Sequence, residues 1–489
     1  MDPPSTSAIR VSPRSSQIVD ARKTTEFSTT SYIVYDIRAG TLAAKRRYSE
    51  FEALRTALVA LHPTLIVPPI PPKQPLLDYA LKQGRVKNDP LIIAHRRRTL
   101  ERFLQRVDTT PGLHDDPVFR RFLDARFSWH EIQSTPPLSQ LPKSNLAAPP
   151  ADPANPNVPA SYAALPVPRT VKQLRAPNAR FRDSEEFTRR FGVHMETVLE
   201  RSNRKLTRRW QDLAADYAEL GAVLNALSLD AGGAAAGLER TGQAADATYM
   251  AANDMLAQWT AEITEPIHEY TQYADILQQI IRWRHLKHQQ LETVQELLST
   301  KRMELAELER VEAEASRLSQ ALEQGGRGLV APPPRSSVYA AAAEDGDESR
   351  GSIEATLPAV PQHTPRKGLI DSLRHSIQHA MDVDPAKTRQ SNISRLREEV
   401  ILLDDAMRRG SEDLQYVTDE IQASLNRFQR SKVYDMRAIL IAYARIHRDY
   451  CVKSRDAWAQ AGKTLAAIDS QAWGGMPDAA LPPRANAGR

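Results

Sequence analysis

Two stretches of this 489-residue chain keep apolar residues at helical spacing for longer than an ordinary globular domain has room for. One runs from about 238 to 325 and the other from about 390 to 468. In the second, Ile393, Leu396, Val400, Leu403, Met407, Leu414, Val417, Ile421, Leu425 and Phe428 step by three, four or seven. At about 1.5 Å per residue, roughly 85 residues reach roughly 130 Å. Helices of that length pack side by side as an elongated coiled-coil bundle. A third run begins near 184, where Phe187, Phe191, Met195, Val198, Leu206, Trp210, Leu213, Tyr217, Leu220, Leu224 and Leu227 hold near-heptad spacing until a break at Asp230-Ala-Gly-Gly. Pro266 is expected to kink the run that crosses it. Three helices this long bury poorly alone, so part of their apolar stripe is expected to form a dimer face.

The segment 326–389 interrupts this pattern. It opens on GGRGLVAPPPRSS, turns acidic at EDGDES, and reads as mostly disordered. Within it, Leu369, Ile370, Leu373, Ile377 and Met381 fall on one helical face, with Arg366, Lys367, Arg374, His375 and His379 off it. The 366–383 stretch therefore reads either as a membrane-surface helix or as a transient helix with no partner.

The chain's first 128 residues have a different character. Residues 17–48 are rich in β-branched and aromatic residues around a turn at Ala39-Gly40 and read as strands. A helix over 49–61 places Phe51, Leu54, Leu58 and Leu61 on one stripe. The run IVPPIPPKQP at 66–75 forbids helix and favours an extended polyproline turn. A second helix over 89–108 points Ile92, Leu100, Phe103 and Val107 inward, and a short helix near 116–127 closes a small α+β domain. Residues 129–180 read as a linker, Pro- and Ala-rich without a period from 133 on, and its start, FSWHEIQSTPPLSQLP, carries enough apolar residues to dock on a neighbour. The expected organisation is an α+β domain at 1–128, the linker at 129–180, an all-α bundle at 181–475 interrupted at 326–389, and a disordered tail at 476–489.

Charge is unevenly spread. The net charge is +5, yet residues 1–128 hold 21 Lys/Arg against 13 Asp/Glu. A basic domain wants an anionic partner: nucleic acid, an acidic protein or an anionic membrane. The stretch KRRYSEF at 45–51 suggests which. Arg47 offers a phosphate a forked pair of hydrogen bonds, Tyr48 a flat face for a sugar-like ring, and Ser49 a hydroxyl at a helix start. Lys73 is projected by the proline run, and Arg96 on the second helix closes the far side. These donors from separate elements describe a phosphoinositide headgroup pocket; the plainer reading is a set of cations that only solvates the domain.

KRRYSEF, VPPIPPK and HRRRTLERFLQRV, in that order, resemble the phox-homology (PX) domain over roughly residues 8–128. The resemblance implies that Arg47 binds the 3-phosphate, Tyr48 packs on the inositol ring, Ser49 lies beside the phosphate, Lys73 contacts the 1-phosphate and Arg96 binds the ring hydroxyls. It implies phosphatidylinositol 3-phosphate as ligand, with Arg97 and Arg98 pointing elsewhere. A PX domain followed by three long helices resembles the PX-BAR sorting nexins, whose BAR domains are curved three-helix dimers. RFRDSEEFTRRF, RHLKHQQLE and the Pro-rich insert resemble one fungal branch, of the sorting nexin forty-one and autophagy-related twenty type. The implied fold is an α+β PX domain, a small antiparallel sheet plus helices, followed by an all-α elongated three-helix BAR bundle.

The implied role is that of a peripheral protein on the cytosolic face of endosomes and at the pre-autophagosomal structure. It would act in endosomal sorting and retrograde transport and in selective autophagy, including cytoplasm-to-vacuole transport and pexophagy. It would dimerise with another PX-BAR sorting nexin or with itself and engage the autophagy machinery. A lipid-targeted coiled-coil scaffold that does not shape membranes, and an elongated structural protein with an incidental basic domain, are the other readings. Clusters at Arg201, Arg204, Lys205, Arg208 and Arg209, at Arg282, Arg284 and Lys287, and at Lys432 and Arg437 are candidates for a membrane-facing surface or for ordinary solvated helix faces.

Other classes are disfavoured. The single cysteine, Cys451, allows no intrachain disulfide and suggests a reducing compartment. Its neighbour His447 has no third group to orient it, so Cys451 is expected in the core. His285 and His288 lack a carboxylate to complete a metal site. No P-loop, GxSxG or kinase signature is present, so no catalytic residue, cofactor or metal is assigned. The near-neutral long helices disfavour nucleic acid. No run of about 18 apolar residues is present to span a membrane, and the N-terminal stretch has no apolar core for a secretory signal.

Overall fold

The computed structural model describes residues 16–25, 32–72, 90–325 and 385–467. It divides into two compact units, Met1–Glu292 with Arg408–Arg489, and Thr293–Met407. The candidate helix at 366–383, Lys73, the tail at 476–489 and most of the insert lie outside the described residues. Residues 385–389, assigned to the insert on composition, are already helical.

In the first unit, β1 (Gln17–Thr24), β2 (Tyr32–Ala39) and β3 (Leu42–Arg47) form an antiparallel meander. Ala39 pairs with Leu42 across a two-residue turn in which Gly40 has φ 61°, a backbone region where a side chain is strained. Side chains alternate across a pleat. In β3 this turns Ala44 and Arg46 inward and Lys45 and Arg47 outward. The chain then passes directly into α1 (Tyr48–Leu61), whose buried residues include Phe51, Leu54, Leu58 and Leu61. α2 (Pro90–Thr109) adds Leu100, Phe103, Leu104 and Val107, and α3 (Pro117–Phe122) adds Val118, Phe119 and Phe122. These side chains close one core with Ile18, Tyr35 and Ile37 of the sheet. Each large apolar side chain so buried contributes about 1.5–3 kcal/mol. α4 (Trp129–Ser134), started by a reciprocal Ser128–Glu131 capping box, sends Trp129 and Ile132 into the same core.

Residues 129–180, expected as a linker without regular structure, are described throughout and lie packed in the first unit. Beyond α4 they form 3-10 turns at Leu138–Gln140, Asn145–Ala147 and Ala160–Ala164. A proline-rich segment has few ladder partners for its carbonyls, and side chains of the long helices supply them. Lys287 Nζ reaches the carbonyls of Leu146 and Ala148 and Asp413 Oδ2, each at 3.3 Å. Gln290 Nε2 donates to the carbonyls of Leu146 and Pro166, both at 2.9 Å, and the Tyr162 hydroxyl donates to Asp413 at 2.9 Å. The cluster Arg282, Arg284, Lys287 is thereby corrected as a membrane-facing surface. Only Arg282 is exposed; Arg284 and Lys287 are 4% and 3% exposed. The Arg284 guanidinium lies 3.9 Å over the Phe181 ring, and burial pulls its pKa down to about 10. Arg201, Arg204, Lys205, Arg208 and Arg209 are all exposed.

The long helices are α5 (Ala179–Val193), α6 (Arg201–Ser228), α7 (Ala235–Trp259), α8 (Glu265–Gly325) and α9 (Pro385–Ala467). π-helical turns at His194–Glu200 and Thr260–Thr264 join α5 to α6 and α7 to α8. Pro266 sits in the first turn of α8, immediately after the second of these. The kink expected there takes the form of a widened turn, which accommodates a residue without an N–H. Trp259, Ile263, Ile267, Tyr270 and Leu277 pack with Val417, Ile421, Phe428 and Ile446 in one core. His447 sits among the rings of Trp210, Trp259 and Tyr443, with centroids 5.7, 5.3 and 4.6 Å away, and burial lowers its pKa. Cys451, expected in that core, is exposed instead. Tyr450 makes the inward contact there, at 5.2 Å from Trp210, and the next residue is turned about 100° away.

α6 and α7 approach closely at two glycines. A Cβ on Gly221 would lie 2.1 Å from Asp246 Oδ1 and 3.2 Å from the Gly242 carbonyl. Asp246 is held by Asn225 at 2.8 Å, so it cannot yield without losing that bond. Gly221→Ala is expected to destabilise the first unit by about 1–3 kcal/mol through overpacking. A thermal melt that does not move would show that the helices separate at no cost.

The second unit is an antiparallel pairing of α8 with α9. Val294 and Leu298 are buried on one, Ile393, Leu396, Leu403 and Ala406 on the other. Arg302–Asp404 at 2.7 Å, Arg397–Glu309 at 2.7 Å and Arg389–Glu312 at 2.8 Å flank the seam. Such exposed pairs each add about 0–1 kcal/mol, so the apolar seam supplies most of the stability and the charges fix the register.

Candidate functional site

The junction of β3 with α1 positions three of the five expected headgroup residues. Arg47 is the N-cap of α1, with an extended backbone, and its N–H donates to Glu50 Oε2 at 2.8 Å. Its side chain is exposed, with the guanidinium carbon 5.9 Å from the Tyr32 ring centroid on the neighbouring strand. Ser49 is exposed in the first turn. Tyr48 is half-buried, and its hydroxyl donates to the Pro71 carbonyl at 2.5 Å. Burial first, and Glu52 next, push its pKa up to about 12, so it remains a neutral donor at any physiological pH.

Arg96 arrives from α2, with its guanidinium carbon 5.4 Å over the Tyr48 ring. α1 and α2 thus meet at a cation–aromatic contact, and Arg47 stands one residue before that ring. Lys73, the fifth expected residue, lies outside the described residues. The proline run that leads to it is pinned: Arg55 Nε donates to the Pro68 carbonyl at 2.9 Å and Tyr48 holds Pro71. An exposed guanidinium, a second guanidinium stacked on a phenol, and a hydroxyl at a helix start together suit a phosphorylated ring.

The neighbouring cations serve the fold, as expected for Arg97 and Arg98. Arg97 Nε donates to the Ile18 carbonyl at 3.0 Å. Arg98 and His95 both bond Glu265 Oε1, at 2.5 and 2.9 Å. Burial raises the pKa of Glu265, but hydrogen bonds from His95 and Arg98 outweigh that and hold the carboxyl below its usual range. Arg102 faces Glu269 at 3.5 Å, and Arg106 bonds both Glu269 and, at 2.8 Å, Asp435. Burial works against the Arg106 charge, and Tyr273, Glu269 and Asp435 more than offset it. A row of basic side chains on α2 therefore docks on acids of α8 and α9, and Arg96, the headgroup candidate on this helix, stands about 100° around it from His95. Sequence reasoning missed this docking row. Its signal was present: 95, 98, 102 and 106 step by three, four and four along one helical face.

Arg46, the middle cation of the motif, is 5% exposed. It donates to the carbonyls of Phe122 at 2.9 Å, Asp124 at 3.0 Å and Phe127 at 2.8 Å. It lies over the Phe122 ring at 5.1 Å and closes the end of α3. His285 bonds the Lys172 carbonyl at 2.7 Å, and among the described residues no three metal-ligating side chains converge. Among them, too, no helix is long and apolar enough to cross a membrane.

A family model described as PX domain matches residues 38–126. Sorting nexin-41 of Cryptococcus neoformans var. neoformans is 41% identical over 467 residues, covering 92% of this chain and 72% of that protein. Autophagy-related protein 20 of Gibberella zeae is 32% identical over 523 residues, covering 92% of this chain and 84% of that one. Among solved structures, the SNX-BAR Mvp1 tetramer seen by cryo-EM aligns with 91% of this chain and 99% of its own at 14% identity. Its TM-score of 0.46 is too low to carry an argument. On the relatives that run its length, this chain belongs to the sorting nexins, a non-enzymatic PX-domain family, close to the fungal sorting nexin-41 and autophagy-related protein 20 group.

Proposed function

We propose that the chain is a peripheral membrane sorting nexin whose Arg47, Tyr48, Ser49, Lys73 and Arg96 bind phosphatidylinositol 3-phosphate. The stacking of Arg96 on Tyr48 beside an exposed Arg47 carries this reading. Its long helices pair with a second sorting nexin chain, of the same or a related kind, through a BAR-like face. Apolar residues left open to solvent support the pairing: Leu213, Leu220 and Leu227 of α6 are 39%, 43% and 55% exposed. A dimer then presents two headgroup pockets, and effective concentration converts two weak contacts into stable membrane binding. Its place is the cytosolic face of endosomes, in sorting and selective autophagy, as the names of its relatives suggest.

Flotation of the full chain with vesicles carrying phosphatidylinositol 3-phosphate, phosphatidylinositol 4-phosphate or phosphatidylserine tests this at physiological salt. Selective flotation with the 3-phosphate, lost in Arg47→Ala, is expected. Equal flotation with every anionic lipid, or undiminished binding by Arg47→Ala, would remove the headgroup assignment.

A further inference from the structure

Where the polyproline run and the end of α2 meet α8 and α9, the first unit holds a second basic cavity of about 390 Å³. Small-molecule sites commonly occupy ~300–1,000 Å³. Three arginines line it, Arg106, Arg427 and Arg430, and no carboxylate does. The Arg106 charge is matched by Glu269 and Asp435. The other two are unmatched among the described residues. Arg427 Nη2 is buried without a hydrogen-bond acceptor, and Arg430 is exposed with no ion pair. An arginine donor buried without an acceptor is costly and rare, and it wants an anion.

The remaining wall has matching chemistry. Ser424 Oγ accepts from the Ile66 N–H at 3.1 Å, which leaves its own proton to donate, and Ser431 is exposed at the rim. Thr109 and Thr110 give their protons to backbone carbonyls, so they offer acceptors only. Tyr273 and Phe428, 5% and 7% exposed, form an apolar floor with ring centroids 5.2 Å apart. Two guanidinium forks and hydroxyl donors over an aromatic floor recognise a dianionic phosphate carried on a compact body.

We infer that this cavity is a second phosphate site, which takes a phosphate monoester on a small polyol through Arg427, Arg430 and Ser424. It is built from residues of the polyproline run, the end of α2, α8 and α9, and not from Arg47, Tyr48 or Arg96, so it stands independently of the headgroup pocket. Its ligand bridges the PX domain and the helices, because Ile66 and Ser424 come from the two sides of one wall.

The test uses the full-length Arg47→Ala chain, in which the first pocket is disabled. Isothermal titration with water-soluble inositol 1,3-bisphosphate should show binding. That binding should weaken at least tenfold when Arg427→Gln and Arg430→Gln are added. Arg427→Lys, which keeps the charge but not the fork, should fall between. Neither arginine holds a partner among the described residues, so unchanged melting temperatures without ligand should accompany these losses. Flotation of the same Arg47→Ala chain with vesicles carrying phosphatidylinositol 3-phosphate distinguishes the source. Residual flotation, far below that of the unsubstituted chain and abolished by the two Gln substitutions, assigns the phosphate to a lipid, whereas soluble binding without any flotation assigns it to a free metabolite. No binding to Arg47→Ala in either format, or binding that survives both Gln substitutions, overturns the second site.

Discussion

Asp413→Ala is expected to lower the stability of the first unit by about 3–5 kcal/mol at neutral pH, the cost typical of removing one partner from a buried ion pair. The side chain of Lys287 is 2% exposed and that of Asp413 13%. Burial pushes the pKa of Lys287 down, and Asp413 is the group that opposes this. Without Asp413 the folded-state pKa falls further below the ordinary value of 10.5. The unfolded chain then binds more protons than the folded one between those two values, so the stability of the variant rises with pH across that window. The deficit relative to the unsubstituted chain should therefore be largest at neutral pH and shrink as pH approaches 10.5. Lys287→Met added to Asp413→Ala should recover much of the loss. Urea melts at several pH values decide the matter. A deficit constant with pH would place the loss in the Tyr162 hydroxyl, which also gives up its acceptor. The same substitution should expose residues 146–166 to limited proteolysis, since Lys287 and Gln290 hold their carbonyls.

This clamp is also where the sequence was hardest to read. Residues 129–180 have no hydrophobic period, and composition alone assigns such a stretch to a linker. Their order comes from carbonyls accepting bonds from Lys287 and Gln290, more than 120 residues away in the chain. No local pattern encodes such a partner. The misassigned cations follow from the same blindness. Arg284 and Lys287 look like any solvated basic face on a helix until the segment that covers them is placed. Cys451 fails for a smaller reason: one residue along a helix turns a side chain by about 100°, and Tyr450 already fills the inward position.

By contrast, the small domain was legible because its local signals agree. Period-two strands, a glycine turn, and helices with Phe51, Leu54 and Leu58 or Leu100, Phe103 and Val107 on one side all require the same core. The headgroup candidates Arg47, Tyr48 and Arg96 came from a motif, and the structure brings Arg96 onto Tyr48. The roles of their neighbours needed geometry. On α2 the basic side chains divide by face, Arg96 toward Tyr48 and His95, Arg98, Arg102 and Arg106 toward Glu265, Glu269 and Asp435. One helix thus links the candidate lipid site to the long helices. A partner or ligand that moved α8 against α9 would act on the base of that helix, where Arg106 bridges both.

Arg46→Ala is expected to have the largest effect of any change in the KRRY motif, and to act on folding. The alternation of β3 turns Arg46 toward the core, where burial lowers its pKa and Glu50 and Asp124 counter that. Hydrogen bonds from a charged donor contribute about 1.5–3 kcal/mol each. Arg46 makes short ones to three carbonyls at and just beyond the end of α3. Alanine removes this donor from all three, and Asp124 alone keeps a second one, the Phe127 N–H at 3.3 Å. A loss of about 3–5 kcal/mol is therefore expected in a domain whose total stability is of the order of 5–15 kcal/mol. Lysine should rescue less than half of it, because one ammonium cannot reproduce a planar fork over three acceptors and the Phe122 ring. Arg47→Ala, one residue on, removes an exposed side chain and should leave the melting temperature within error. The two variants separate the two roles within one motif. Arg46→Ala should lose vesicle binding only in proportion to the fraction unfolded, and recover it on cooling. Arg47→Ala should lose it while fully folded. If Arg46→Ala melts like the unsubstituted chain, the buried guanidinium is not what holds α3 to the sheet, and the division of labour between adjacent arginines fails.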